Sequence, residues 1–183
     1  MRIISGYFKG RRFSLPKNLK LRPTTDMAKE SLFNVINNLV DFEDIDALDL
    51  FSGTGSISYE LVSRGVNSVL SVEQNGQHAR FIESVIDKLE MENMRILKMD
   101  VFQFIKTNKR AFDFVFADPP YDMPELNTLP NLVFSSNLLQ VDGIFVLEHP
   151  KHTSFTEHPN FFDHRKYGNV NFTFFKNNKD LTE

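Results

Sequence analysis

The 183-residue chain contains no cysteine. That excludes disulfides, thiolate zinc sites, iron–sulfur clusters and a cysteine nucleophile. Tryptophan is also absent, while phenylalanine occurs 19 times, so aromatic packing falls to phenylalanine. No apolar run approaches the roughly 18–20 residues that span a bilayer. The opening residues, Met1 to Arg12, are basic but lack the apolar stretch of about 7–15 residues that marks a secretory signal. A cytoplasmic protein without membrane attachment is expected. The first 25 residues also contain no acid. They hold seven cations instead: Arg2, Lys9, Arg11, Arg12, Lys17, Lys20 and Arg22.

An apolar fraction of 41% and a charged fraction of 25% describe an ordinary folded domain. A chain of this length buries roughly 70% of its unfolded surface, so it needs no covalent or metal staple. The net charge of −3 hides a division, because the residues after the cationic start carry 14 Lys/Arg against 24 Asp/Glu. A segment of one sign on a body of the other is the footprint of a polyanion-binding arm. Arg2, Lys9, Arg11, Arg12 and Arg22 are the expected phosphate contacts, with Arg165 and Lys166 as additions from the tail.

The spacing predicts a helix over 25–40, with Thr24 as its N-cap and Asp26 in the first turn. Strands and helices then alternate. Strands are expected at 47–51, 68–73, 95–100, 112–117 and 143–148. Helices are expected at 56–64, 77–91, 101–107 and 125–138. Residues 161–176 read as two strands about a turn near Gly168 and Asn169. Such alternation implies a mostly parallel sheet covered on both faces, and the short final link requires an antiparallel pair.

Three features fall at carboxyl ends of successive strands, where open α/β sheets bind ligands. The first is Asp49-Leu-Phe51-Ser-Gly53-Thr-Gly55. Its glycines permit a tight turn and close approach of a ligand to backbone. Position 58 is Ser, so the three-glycine dinucleotide fingerprint is incomplete. No Gly-Lys-Ser/Thr triplet makes a P-loop. What remains suits a nucleoside without pyrophosphate, and Asp49 suits a cation or ammonium group. The second feature is a pair of acids: Glu73 at one strand end, placed to hold ribose hydroxyls, and Asp100 at the next, placed to accept from an adenine amine. The third is Asp118-Pro119-Pro120-Tyr121. Two prolines fix two φ angles and remove two N–H donors, so the turn is rigid and rich in acceptors. The Asp118 carboxylate and a proline carbonyl can both face one amino group, and Tyr121 offers a ring for a base to stack on. Histidines 149, 152, 158 and 164 have spacings that suit no helix-borne metal site, and no metal is expected.

Asp49-x-Phe51-x-Gly53-x-Gly55 together with Asp118-Pro-Pro-Tyr121 resembles the S-adenosylmethionine-dependent amino-methyltransferases of the class I fold. More narrowly, Arg2-Ile-Ile-Ser-Gly6, Lys9-Gly-Arg11, Arg22-Pro-Thr24, Leu32-Phe-Asn34, Ser63-Arg-Gly65 and Tyr167-Gly168 resemble the RsmD family, in order and over nearly the whole chain. That resemblance implies a Rossmann-like α/β fold: a mostly parallel seven-stranded sheet with an antiparallel C-terminal strand. It implies S-adenosyl-L-methionine as cofactor and N2 of a guanine in small-subunit (16S) ribosomal RNA as target, in naked RNA or the small ribosomal subunit. Asp49, Phe51, Gly53 and Gly55 would line the methionine side. Glu73 and Gln74 would hold the ribose, and Asp100 and Val101 would bracket the adenine. Asp118, Pro119, Pro120 and Tyr121 would hold the target base. Thr24 and Asp26 would stand near the methionine tail. Glu73-Gln74 and Ser52 depart from the family pattern without touching the chemistry. Residues 1–24 would form a basic RNA-binding extension and 25–183 the methyltransferase domain, acting as a monomer.

Other readings remain open on the residues alone. An adenine-N6 methyltransferase of RNA or DNA also uses Asp-Pro-Pro-Tyr, but the chain has no spare length for a target-recognition insertion. A glutamine-amide methyltransferase would place Asn at 118. A non-catalytic RNA-binding assembly factor would not need Gly53, Gly55, Asp118 and Tyr121 intact. A nicotinamide dehydrogenase is disfavoured by the missing third glycine.

Overall fold

Strands separated by helices pair in parallel because each crossover returns the chain to the same end of the sheet. The computed structural model describes residues 1–16 and 25–178. Its strands are β1 (Asp46–Leu50), β2 (Ser68–Val72), β3 (Met94–Leu97), β4 (Phe112–Ala117), β5 (Leu139–His149), β6 (Phe161–Tyr167) and β7 (Val170–Lys176). They form one sheet in the order β3-β2-β1-β4-β5-β7-β6. The β1–β2, β1–β4, β2–β3 and β4–β5 pairs are parallel. β7 runs antiparallel to both β5 and β6. This is the Rossmann-like, mostly parallel seven-stranded sheet with an antiparallel C-terminal strand that the sequence led us to expect.

The helices are α1 (Asp26–Ile36), α2 (Ser56–Ser63), α3 (Gly76–Leu89), α4 (Val101–Thr107) and α5 (Leu129–Ser135). Successive strand residues point to opposite faces, and both faces are covered. On β4, Phe114 and Phe116 join the core that holds Leu32, Phe33 and Ile57. Val115 and Ala117 join the core that holds Phe104 and Leu129. Burial on both sides is why residues 114–117 read as an unbroken apolar run.

The cationic start folds back as a hairpin. Arg2 bridges Arg12, Ile3 N donates to Arg11 O and Phe13 N to Met1 O, each at 3.0 Å. Ile3 and Phe13 are buried. The hairpin docks on α2 through Glu60, whose carboxylate accepts from the backbone amides of Ile4 at 2.9 Å and Ser5 at 3.0 Å. Lys29 and Arg64 neutralise that buried carboxylate at 3.5 and 3.1 Å. Gly6, at φ +78°, lies so close to α2 that a Cβ would sit 1.7 Å from the Ser63 carbonyl oxygen. Only glycine lets Tyr7 N reach that oxygen, at 2.6 Å.

Several boundaries differ from expectation. The cap of α1 is Thr25, whose side chain accepts from Ala28 N; Thr24 lies outside the described residues, and the helix ends at Ile36, short of 40. The helix expected over 125–138 is a 3-10 turn, Pro124–Thr128, followed by the shorter α5. Pro130 falls in the first turn of α5, where its missing N–H costs little, and Asn137 at φ 53° ends the run. β5 starts at Leu139, before 143, through a register shift against β4. β3 stops at Leu97, so Asp100 does not end a strand. It is the N-cap of α4 and accepts from Gln103 N at 3.0 Å.

Strand order reverses between β1 and β4. The loops leaving their carboxyl ends diverge there and open a crevice.

Candidate active site

A cavity of about 590 Å³ occupies that crevice, within the range of roughly 300–1,000 Å³ typical of small-molecule sites. The loop after β1 contributes Phe51 and Gly53, and the loop after β2 contributes Glu73 and Gln74. The start of α4 adds Asp100 and Val101, and the turn after β4 adds Asp118, Pro119, Pro120 and Tyr121. The structure thus brings most of the expected cofactor residues into one space with all four of the expected base-holding residues. Asp49 and Gly55 do not line this space. Thr24 and Arg22 fall outside the described residues, and Thr25 lines the cavity instead.

Asp49 lies beneath the loop at 1% exposure. It accepts from the Ser58 hydroxyl, which is itself 2.6 Å from the Ser71 hydroxyl. Burial pushes the Asp49 carboxyl up to about 7. Gly55 is left-handed at φ 81°, and a Cβ there would meet the Tyr59 ring at 2.6 Å. Phe51 is left-handed as well, at φ 59°, an uncommon conformation for a bulky residue and one concentrated at ligand sites. Its ring packs edge-on against Phe102.

Glu73 fastens the loop to the next element. One carboxylate oxygen accepts from Gly53 N at 2.8 Å and the other from Asn75 N at 2.7 Å. A carboxylate offers about four lone-pair positions, so capacity remains for two hydroxyls. Asp100 uses one oxygen on its helix. The donor and acceptor set therefore fits a nucleoside: an acid for the ribose, an acid for an exocyclic amine, and apolar Phe51 and Val101 beside them.

Asp118 stands one residue beyond β4, and Glu148 lies near the end of β5. The pairing of Ala117 with Leu147 sets the two carboxyls side by side. Glu148 accepts from the Tyr121 hydroxyl at 2.9 Å, which orients a ring left 41% exposed. Burial, then the neighbouring Glu148 and Asp49 charges, hold Asp118 well above the usual carboxylate range. Burial raises Glu148 too, against the opposing pull of its Tyr121 and Asp118 hydrogen bonds.

Asn75, His78, Glu148, Asn169 and Val170 also line the cavity and were not among the expected site residues. Glu148 carried the signal already used for Glu73: an acid at the carboxyl end of a parallel strand. Asn169 and Val170 arrive from the β6–β7 turn, which no local pattern ties to the site.

Of the expected RNA contacts, Lys9, Arg11 and Arg12 are exposed on the hairpin. Arg2 pairs with Asp26 at 3.2 Å. Asp26 follows Thr25, so the hairpin stands beside the cavity rim. His149 is fully enclosed, bonding Thr173 at 2.8 Å and Pro150 O at 3.1 Å. A second concavity of about 610 Å³ between α1 and β6 is shallow, and its acid, Asp163, already pairs with Arg165 at 2.8 Å. Among the described residues no three His, Asp or Glu converge as a metal site, and no helix is long and apolar enough to cross a membrane.

Residues 1–176 match the family model described as "Conserved hypothetical protein 95". The chain is 32% identical to the "Putative rRNA methyltransferase YlbH" of Bacillus subtilis, over 86% of each chain. It is 30% identical to "Ribosomal RNA small subunit methyltransferase D" of Buchnera aphidicola, over 81% of this chain and 75% of that one. The solved structure titled "Putative methyltransferase yhhF from Escherichia coli" superposes with a TM-score of 0.85 at 25% identity, covering 97% of this chain and 98% of the other. A family model matched over residues 1–176, with a relative 32% identical over 86% of each chain, makes the protein a member of the RsmD family.

Proposed function

We propose that the protein methylates the exocyclic N2 of a guanine in small-subunit (16S) ribosomal RNA. The observation that carries this reading is the Asp118-Pro119-Pro120-Tyr121 turn facing the same cavity as Phe51, Gly53, Glu73 and Asp100. A base held on one wall then meets a nucleoside held on the other. Relatives named as rRNA methyltransferases support the class of substrate.

Bound S-adenosylmethionine supplies an electrophilic methyl group. Glu73 and Gln74 hold its ribose, Asp100 and Val101 its adenine, and Phe51 and Gly53 the arm toward the methyl. Asp49 reaches the site only as a charge beneath the loop. A guanine N2 is a weak nucleophile because its lone pair is delocalised into the ring. Asp118 and the Pro119 carbonyl each accept one N2 hydrogen, which loosens that conjugation and aims the lone pair along the transfer line. Alignment alone contributes up to about 7–11 kcal/mol. After transfer, N2 carries a surplus proton, and the Asp118 carboxylate, made more basic by burial, takes it. Tyr121 stacks on the base once it has left its helix or loop, at a cost of a few kcal/mol. Lys9, Arg11 and Arg12 hold the flanking phosphates.

The test is mass spectrometry of rRNA nucleosides from a deletion strain. Loss of one N2-methylguanosine is expected; loss of an N6-methyladenine instead would replace this reading with an adenine one. In the purified protein, Asp118→Ala abolishes transfer while S-adenosylmethionine still binds. Near-normal turnover would remove Asp118 from the mechanism.

A further inference from the structure

We propose that Glu148 is the residue that makes this a guanine pocket, accepting the base N1–H while Asp118 accepts the adjacent N2–H. The inference rests on the guanine-N2 reading and deepens it. Glu148 is only 5% exposed. Tyr121 occupies its Oε1 at 2.9 Å. Its Oε2 is enclosed without a hydrogen-bond partner, and the paired ends of β4 and β5 bring the Asp118 side chain alongside. Among the described residues no Lys, Arg or His pairs with either acid. Both line the cavity.

Two buried acceptors without a cation are costly unless something donates to them. In the free protein one shared proton relieves them, and that proton leaves to solvent as the base enters. On binding, the fitting ligand edge has two adjacent donors. Guanine presents N1–H beside N2–H on its pairing edge, whereas adenine and cytosine place a ring acceptor next to their amine. A pair of carboxylates therefore accepts guanine and opposes the ring nitrogen of adenine. A site built to bond a polar group rejects an analogue lacking it by factors up to about 10⁴–10⁵.

The experiment uses the wild-type protein and Glu148→Gln on a small-subunit RNA carrying either the methylated guanine or 2-aminopurine in its place. 2-Aminopurine keeps the N2 amine but has an acceptor at N1. The wild type should prefer guanine by about 100-fold or more in kcat/KM. Glu148→Gln, which can donate from its amide, should lose most of that preference, with S-adenosylmethionine affinity within about twofold of wild type. Comparing the two ratios cancels the intrinsic reactivity difference between the bases. An unchanged ratio overturns the role of Glu148. If the variant fails to fold, Glu148→Ala replaces it in the same comparison, and equal wild-type rates on the two bases overturn the proposal. Failure of the underlying reading looks different: no transfer to any guanine, with methylation of another base.

Discussion

Asp49 and Asp118 are both acids at strand ends, yet the first is closed off under a glycine loop and the second opens on the cavity. The consequence for Asp49 is measurable. Its carboxyl is raised to about 7 by burial, against an ordinary value near 4. Below pH ~4 it is protonated both folded and unfolded and costs nothing. Between pH ~4 and ~7 the unfolded chain ionises first, so stability falls as pH rises, by at most about 4 kcal/mol. Above pH ~7 the loss is constant. Asp49→Asn cannot ionise and still accepts from Ser58. Its urea-unfolding free energy should gain on wild type between pH 4.5 and 7.5, by up to a few kcal/mol. A gap independent of pH would show that Asp49 ionises freely in the fold.

The elements are joined by polar contacts that no helix or strand pattern reveals. The hairpin of residues 1–13 rests on α2 through Glu60, and Lys29, 1% exposed, balances that acid from α1. Breaking a buried pair from one side costs roughly 3–5 kcal/mol, because a charge is left uncompensated. Glu60→Ala should lose about that much in urea unfolding. It should also free the amides of Ile4, Ser5, Tyr7 and Phe8 to exchange with solvent. Retained protection at those four amides would mean that Ile3 and Phe13 hold the hairpin unaided. Element types were legible because the strand runs and helical stripes are strong. Boundaries were not, where tertiary context chose among near-equal options. Thr25 caps α1 rather than its neighbour, and Asp100 caps α4 instead of ending β3.

At the scale of the whole molecule, the charge division places cations on the hairpin beside the cavity rim while the body is acidic. Each phosphate neutralised releases counterions, so binding weakens steeply with salt. Replacing Arg11 and Arg12 together by Ala should lower RNA affinity and flatten the log–log salt slope by roughly 1.5. A slope equal to wild type would show that neither side chain meets a phosphate.

Sequence alone determined the parallel sheet, the glycine loop, the diproline turn and the acids beyond β2 and β4. These follow from local sterics and from a two-residue or 3.6-residue period, which act between near neighbours along the chain. Tertiary structure decided the rest. It laid the hairpin on a helix 55 residues away and sank Asp49 below the loop. It also set Glu148 against Asp118, because the register of β5 on β4 arises only when the whole sheet closes.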